Sequence, residues 1–263
     1  MRQFFMLARL IAHLLYGFVV ALVFWPLLST RQRESIEKSW AGKLLSILNV
    51  RVQVVHETPG ADYSKHGPCL LYSTHVSWLD IFAFNSFHPV TFIAKSEISR
   101  WPIGGLLARR SGTLFIERGK RHAVRDVIHA AAGVLKTGRC VAVFPEGTTG
   151  KGDRPLHFHS NFVQPAIQAN VPLQPVSLQY FTPDGTFSEV PAFVGEQTLL
   201  ENIQVLLTSS TGFVVQLYFH QPLSTEGRTR HELSDLAHDL IRERCQQGGV
   251  QGMVGTGGST AST

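Results

Sequence analysis

A histidine and an aspartate five positions apart, His75 and Asp80, follow a short apolar run, Cys69-Leu70-Leu71-Tyr72. The run has the length and composition of a buried strand. On one regular helix, side chains at this spacing would point ~140° apart. They meet if His75 lies on the strand-to-helix turn and Asp80 lies within the helix. The imidazole then stands at the carboxyl end of a strand, where open α/β sheets bind ligands. Asp80 would fix one ring nitrogen and leave the other free as a base.

Three later stretches also fall at or after expected strands. Gly112-Thr-Leu-Phe-Ile-Glu-Arg118 ends in the dense basic turn Arg118-Gly119-Lys120-Arg121, and Arg118 could hold a phosphate bidentately. Val143-Phe-Pro-Glu146-Gly147-Thr148 brings a carboxylate and a close-approach glycine to the sheet edge expected for His75. Here Glu146 could accept hydroxyl or amide hydrogen bonds, and nearby backbone amides are candidate oxyanion donors. In Val171-Pro172-Leu-Gln-Pro175-Val176, two prolines mark a defined strand entry. Gly147 to Lys151 superficially suggests a nucleotide phosphate loop. The spacing fails, because Pro145 stands where a glycine is required and Gly152 where a hydroxyl is required.

The elements that must position these residues alternate. Expected strands are 50–55, 69–73, 91–94, 113–116, 141–144, 173–178 and 214–219, with helices at 78–85, 102–110, 122–136, 161–168 and 229–246. This order predicts an α/β fold, a central mixed and largely parallel sheet flanked by helices. Ahead of it, Leu10 to Leu28 is a run of nineteen residues whose only ionisable side chains are His13 and Tyr16, close to the ~20 needed to cross a bilayer. It lacks a small-x-small cleavage site, and Pro26 and His13 interrupt a regular spanning helix. The next segment, 31–48, mixes Ile36, Trp40, Leu44 and Leu45 with Arg33, Lys38 and Lys43, as an interfacial amphipathic helix does. The sequence therefore predicts a membrane-attaching helical pair over 1–48, spanning or monotopic. A catalytic α/β domain follows over 49–247, and a tail over 248–263 is too poor in large apolar residues to pack. Basic residues after the apolar run favour a cytoplasmic main domain.

A net charge of +5 fits an anionic bilayer surface or anionic substrates. Nucleic acid is set aside, because no aromatic-basic or zinc-finger pattern occurs. Cys69, Cys140 and Cys245, far apart in sequence, read as core residues and not as a disulfide or metal set. His122 with His129 and His157 with His159 lack a third ligand at useful spacing. Ser77 reads as a turn or capping residue, since the chain has no Gly-x-Ser-x-Gly elbow.

Taken together and in this order, the four stretches resemble those of the glycerolipid acyltransferases, specifically the bacterial 1-acylglycerol-3-phosphate type. His75 and Asp80 match the family's His-x4-Asp. Gly112, Phe115, Ile116 and Arg118 match its second block, Phe144 to Gly147 its Phe-Pro-Glu-Gly, and Val171 to Val176 its Val-Pro block. The resemblance implies acyl transfer to the free hydroxyl of lysophosphatidic acid for phospholipid synthesis at the bacterial inner membrane. His75 would be the general base, oriented by Asp80. Arg118, Glu146, Gly147, Gly112, Thr148 and Pro172 would bind substrate. The implied co-substrate is acyl-coenzyme A or acyl-acyl carrier protein, with no bound cofactor and no metal. The form Pro-Glu-Gly-Thr-Thr followed by Phe158-His159-Ser160 is also similar to the branch containing lyso-ornithine lipid acyltransferases, so the acceptor stays open between these lysolipids. Of two rival readings, a lipid hydrolase is opposed by the missing serine elbow and metal cluster, and a non-catalytic lipid-binding protein by the intact His75, Asp80, Arg118 and Glu146.

Overall fold

The computed structural model describes residues 2–117 and 121–247. Seven strands, β1 (Val50–His56), β2 (Leu70–Ser73), β3 (Thr91–Lys95), β4 (Leu114–Ile116), β5 (Val141–Val143), β6 (Leu173–Phe181) and β7 (Phe213–Phe219), form one sheet in the order β1-β7-β6-β2-β5-β3-β4. Strands β6, β2, β5, β3 and β4 run parallel. β7 is antiparallel to β6, and β1 pairs in parallel with β7. The sheet is thus mixed and largely parallel, as expected. The central strands β2, β5 and β6 are buried along their whole length because both faces are covered.

The α-helices among the described residues are α1 (Arg2–Val19), α2 (Thr30–Ile47), α3 (Tyr63–His66), α4 (Asp80–Phe87), α5 (Gly104–Arg110), α6 (Arg121–Lys136), α7 (Gln164–Ala169), α8 (Leu199–Thr208) and α9 (Arg230–Gln246). Local chemistry explains several boundaries. Ser29 with Gln32, Thr198 with Glu201 and Thr229 with Glu232 form capping boxes at the starts of α2, α8 and α9. Asn170, in the left-handed conformation at φ 54°, ends α7. The first helix runs on through a π turn, Val20–Phe24, and a 3-10 turn, Trp25–Leu27. Pro26 has no N–H to continue an α-helical ladder there.

The strands alternate between two cores. Leu71 and Ala142 join Met6 and Leu10 of α1, Leu44 and Leu45 of α2, Phe84 of α4 and Leu206 of α8 on one face. On the other, Leu70, Tyr72 and Val143 join Val127 and Leu135 of α6, Ala166 of α7 and Leu233 and Ile241 of α9. The hairpin of α1 and α2 is therefore built onto one face of the sheet, and α6, α7 and α9 onto the other.

Only one side of the N-terminal helix is used in that packing. Along the other, Phe4, Phe5, Ile11, Leu15, Val19, Leu22, Val23 and Leu27 are exposed, Phe4 by 79% and Leu27 by 81%. The two helices are tied together inside this apolar region. Trp40 Nε1 donates to the His13 carbonyl at 3.2 Å, and His13 Nε2 bonds the Trp40 carbonyl at 3.0 Å. The two rings stack at 5.0 Å. Cys69 and Cys140, distant in sequence, are buried 3.8 Å apart at the starts of neighbouring strands. The expected tail, 248–263, lies outside the described residues.

Candidate active site

His75 leaves the carboxyl end of β2 on the six-residue loop 74–79 before α4, and Asp80 is the first residue of that helix. The turn closes the i,i+5 gap that a continuous helix would leave open. Nδ1 of His75 stands 2.8 Å from Asp80 Oδ2. An ionised carboxylate only accepts, so Nδ1 carries the proton and Nε2 presents its lone pair. The histidine side chain is 20% exposed, whereas Asp80 is fully buried.

A buried carboxylate requires full hydrogen bonding, and Asp80 obtains it locally and from afar. The same Oδ2 accepts from the backbone N–H of Val76 at 2.7 Å and of Ser77 at 2.9 Å. Oδ1 accepts from the Tyr180 hydroxyl on β6, 2.7 Å away. Burial, with the Asp80 charge beside it, pushes the Tyr180 phenol well above its ordinary range, so it acts as a neutral donor. Ser77 supplies a turn amide and its carbonyl accepts from Asp80 N–H at 3.1 Å. Behind the imidazole, Phe144 stacks at 4.0 Å with 9° between planes.

Glu146 emerges from β5 at this same edge, but its carboxylate turns inward. Oε2 accepts from the His75 backbone N–H at 2.9 Å, and Oε1 from the Leu156 N–H at 2.8 Å. The group therefore joins the His75 loop to the segment after the Pro-Glu-Gly turn. Burial pushes its pKa up to about 7, opposed by those two amides and reinforced by the Asp80 charge. Further bonds hold the loop: Gly150 N–H to the His75 carbonyl at 2.7 Å, and Phe193 N–H to the Val76 carbonyl at 2.8 Å. Gly147 adopts φ 65°, a conformation suited to glycine, and its N–H is engaged by the Phe144 carbonyl at 3.1 Å. That amide is thus committed to the turn and not to an oxyanion. Thr148 is exposed on the rim of the turn.

Two expected substrate contacts lie elsewhere. Gly112, at φ 81°, forms the turn entering β4, and Pro172 precedes β6, its carbonyl accepting from Leu70 N–H at the start of β2. Both parallel strands begin at the sheet edge opposite His75. For β2 alone that is about 13 Å of strand. Gly112 and Pro172 are turn and strand-entry residues, because a motif read along the chain spans both ends of its strand. Arg118 lies outside the described residues, as do Gly119 and Lys120. Among the described residues no three His, Cys, Asp or Glu side chains gather as a metal-ligand set.

What the sequence reading missed is Tyr180, the Phe144 stack, the Leu156 amide and Gly152. The last sits at φ 88° with room for a Cβ only 3.0 Å from Val76 Cγ2. A positive-φ glycine beside the His75 loop has no signature in composition or period, whereas Tyr180 lies two residues past the expected end of its strand.

Residues 52–179 match the family profile described as Acyltransferase. Over 214 residues the chain is 35% identical to the lyso-ornithine lipid O-acyltransferase of Pseudomonas aeruginosa, covering 81% of this chain and 79% of that protein. Over 203 residues it is 34% identical to the 1-acyl-sn-glycerol-3-phosphate acyltransferase of Neisseria meningitidis, covering 76% of each. Its fold is similar to the crystal structure of the 1-acyl-sn-glycerophosphate acyltransferase of Thermotoga maritima. That likeness has a TM-score of 0.63 at 21% identity, over 92% of this chain and 97% of that one. With a sheet of this topology and relatives matched over most of their length, the chain belongs to the acyltransferase family.

Proposed function

We propose that this enzyme transfers an acyl group from a thioester to the free hydroxyl of lysophosphatidic acid, forming phosphatidic acid. The observation that carries the reading is the 2.8 Å contact between His75 Nδ1 and Asp80 Oδ2, which among the described residues leaves Nε2 unblocked on a partly exposed ring. Nε2 takes the acceptor hydroxyl proton as the oxygen attacks the thioester carbonyl. Asp80 holds the tautomer and stabilises the imidazolium that forms. Collapse of the tetrahedral intermediate breaks the carbon–sulfur bond, and the imidazolium returns the proton to the leaving thiolate. Glu146 positions His75 through its backbone amide. Arg118 is proposed to hold the acceptor phosphate, with Gly147 and Thr148 at the rim of the acceptor pocket.

The lysolipid resides in a bilayer, and the exposed apolar side of α1 suits attachment there. In this reading residues 1–48 anchor the 49–247 domain to the bacterial inner membrane, facing the cytoplasm, and the basic surface draws anionic lipid. The similarity to the Pseudomonas protein supports lyso-ornithine lipid as the second reading of the acceptor.

Thioester consumption by detergent-purified protein tests both. Palmitoyl-coenzyme A is supplied with lysophosphatidic acid, with lyso-ornithine lipid, or with neither. Thiol release confined to lysophosphatidic acid and lost in His75→Ala is the expected result. Release confined to lyso-ornithine lipid transfers the assignment to that acceptor, and release without lipid overturns transfer in favour of hydrolysis.

A further inference from the structure

The face of the sheet opposite the apolar hairpin carries a groove of about 530 Å³ between α6 and α7, closed at one end by the start of α9. Its volume lies within the ~300–1,000 Å³ of small-ligand sites. Val124 and Ile128, one helical turn apart, make an aliphatic floor. Arg125 and His129, also one turn apart, stand beside them. Asn161, Gln164 and Gln168 line the facing wall with three carboxamides, and Arg230 ends it. Among the described residues neither Arg125 nor Arg230 is in an ion pair, and the nearby Glu232 carboxylate is occupied in capping Thr229.

We propose that this groove binds the nucleotide end of coenzyme A, the phosphate-bearing end of the acyl donor; the inference rests on the thioester-transfer reading. Guanidiniums match phosphates bidentately. Carboxamides both donate and accept, so they can pair with the edges of a purine lying on the aliphatic floor. Position agrees with this chemistry. His159 N–H bonds the Pro145 carbonyl at 3.0 Å, next to Glu146. Asn161 follows two residues later, within about 10 Å of that carbonyl along bond and chain. An extended pantetheine arm is longer than that, so a nucleotide in the groove leaves the thioester able to reach the edge where His75 stands. The lysolipid would arrive from the opposite, apolar face, and the two substrates would not compete for one entrance.

Calorimetric titration with free coenzyme A, adenosine 3′,5′-bisphosphate and dephospho-coenzyme A tests the assignment without turnover. The paired change Arg125→Gln with Arg230→Gln is expected to weaken the first two by at least about tenfold. It should also raise KM for palmitoyl-coenzyme A and leave KM for the lysolipid unchanged. Arg51→Gln with Lys136→Gln removes the same charge from exposed positions outside the groove, and should change little. Gln164→Ala, which alters no charge, should weaken adenosine bisphosphate. Equal losses in both paired variants would reduce the effect to general electrostatics and overturn the site. So would transfer from acyl carrier protein with no coenzyme A binding. Coenzyme A binding that the groove variants weaken, in a protein that transfers no acyl group, would uphold the groove and count against the transfer reading instead.

Discussion

The Tyr180 hydroxyl, on β6, donates at 2.7 Å to the Asp80 carboxylate oxygen that His75 does not use. The pair is one hundred residues apart in sequence and fully buried. Its hydroxyl thereby adds a third, distant point of support to a histidine–aspartate pair otherwise held by its own loop. If Asp80 orients the proposed base, Tyr180 is a positioning residue acting through it. Tyr180→Phe removes one charge-assisted hydrogen bond of roughly 1.5–3 kcal/mol and should lower kcat about tenfold with little change in either KM. In an Asp80→Asn background, itself reduced by about 10³–10⁴, the further effect of Tyr180→Phe should nearly vanish. A double-mutant cycle on steady-state rates measures this, and additive losses would show that Tyr180 acts elsewhere.

Glu146 should make stability depend on pH. Its folded pKa is raised from 4.5 to about 7, chiefly by burial. The folded protein therefore holds this proton more tightly than the unfolded chain does. The resulting stabilisation is fully present below about pH 4.5 and is lost as pH rises through 7, a change of about 3 kcal/mol at most. Glu146→Gln cannot titrate, so its stability relative to the parent should rise across that window, as read by denaturant unfolding in detergent. An unchanged difference from pH 4.5 to 7 would contradict the raised value.

Gly152 offers a test of how tightly the His75 loop is packed. At φ 88°, with Val76 Cγ2 3.0 Å from any added Cβ, an alanine is strained and also presses on the residue after His75. Its carbonyl accepts from Gln179 Nε2 at 2.9 Å, which holds the segment in place. Gly152→Ala should cost roughly 1–2 kcal/mol from the left-handed backbone alone. It should lower kcat more than KM, since a misplacement of about 1 Å can cost ~10² in rate. Parallel unfolding and rate measurements separate the two effects.

Gly17 should control the hairpin. A Cβ there would lie 2.5 Å from Trp40 Nε1, so the indole must leave and lose its bond to the His13 carbonyl. Gly17→Ala should destabilise the α1–α2 contact by about 1–3 kcal/mol. Limited proteolysis near Ser29 would accelerate, with the buried sheet core unaffected at first. Unchanged cleavage would mean that the indole is not what joins the helices.

Much of this protein is determined by local sequence. Short stretches rich in apolar and β-branched residues predict the seven strands, and the alternation with helices predicts a largely parallel sheet. His75 and Asp80 are legible because their spacing makes sense only across a strand-to-helix turn, itself a local event. Even α8, absent from the sequence reading, is announced locally by Thr198 and Glu201 three apart before an apolar run. What only tertiary structure decided is direction and distance between elements. Gly112 and Pro172 belong to the same blocks as the site residues, yet strand direction carries them to the opposite sheet edge. Glu146 is a carboxylate at the expected edge, but which groups it meets depends on the loop from Gly150 to Leu156 folding back over it. Tyr180 reaches Asp80 only because β6 pairs beside β2 and runs past its end. Periodicity is a property of neighbours along the chain; hydrogen bonds between residues one hundred positions apart depend on strand order, which no local pattern encodes.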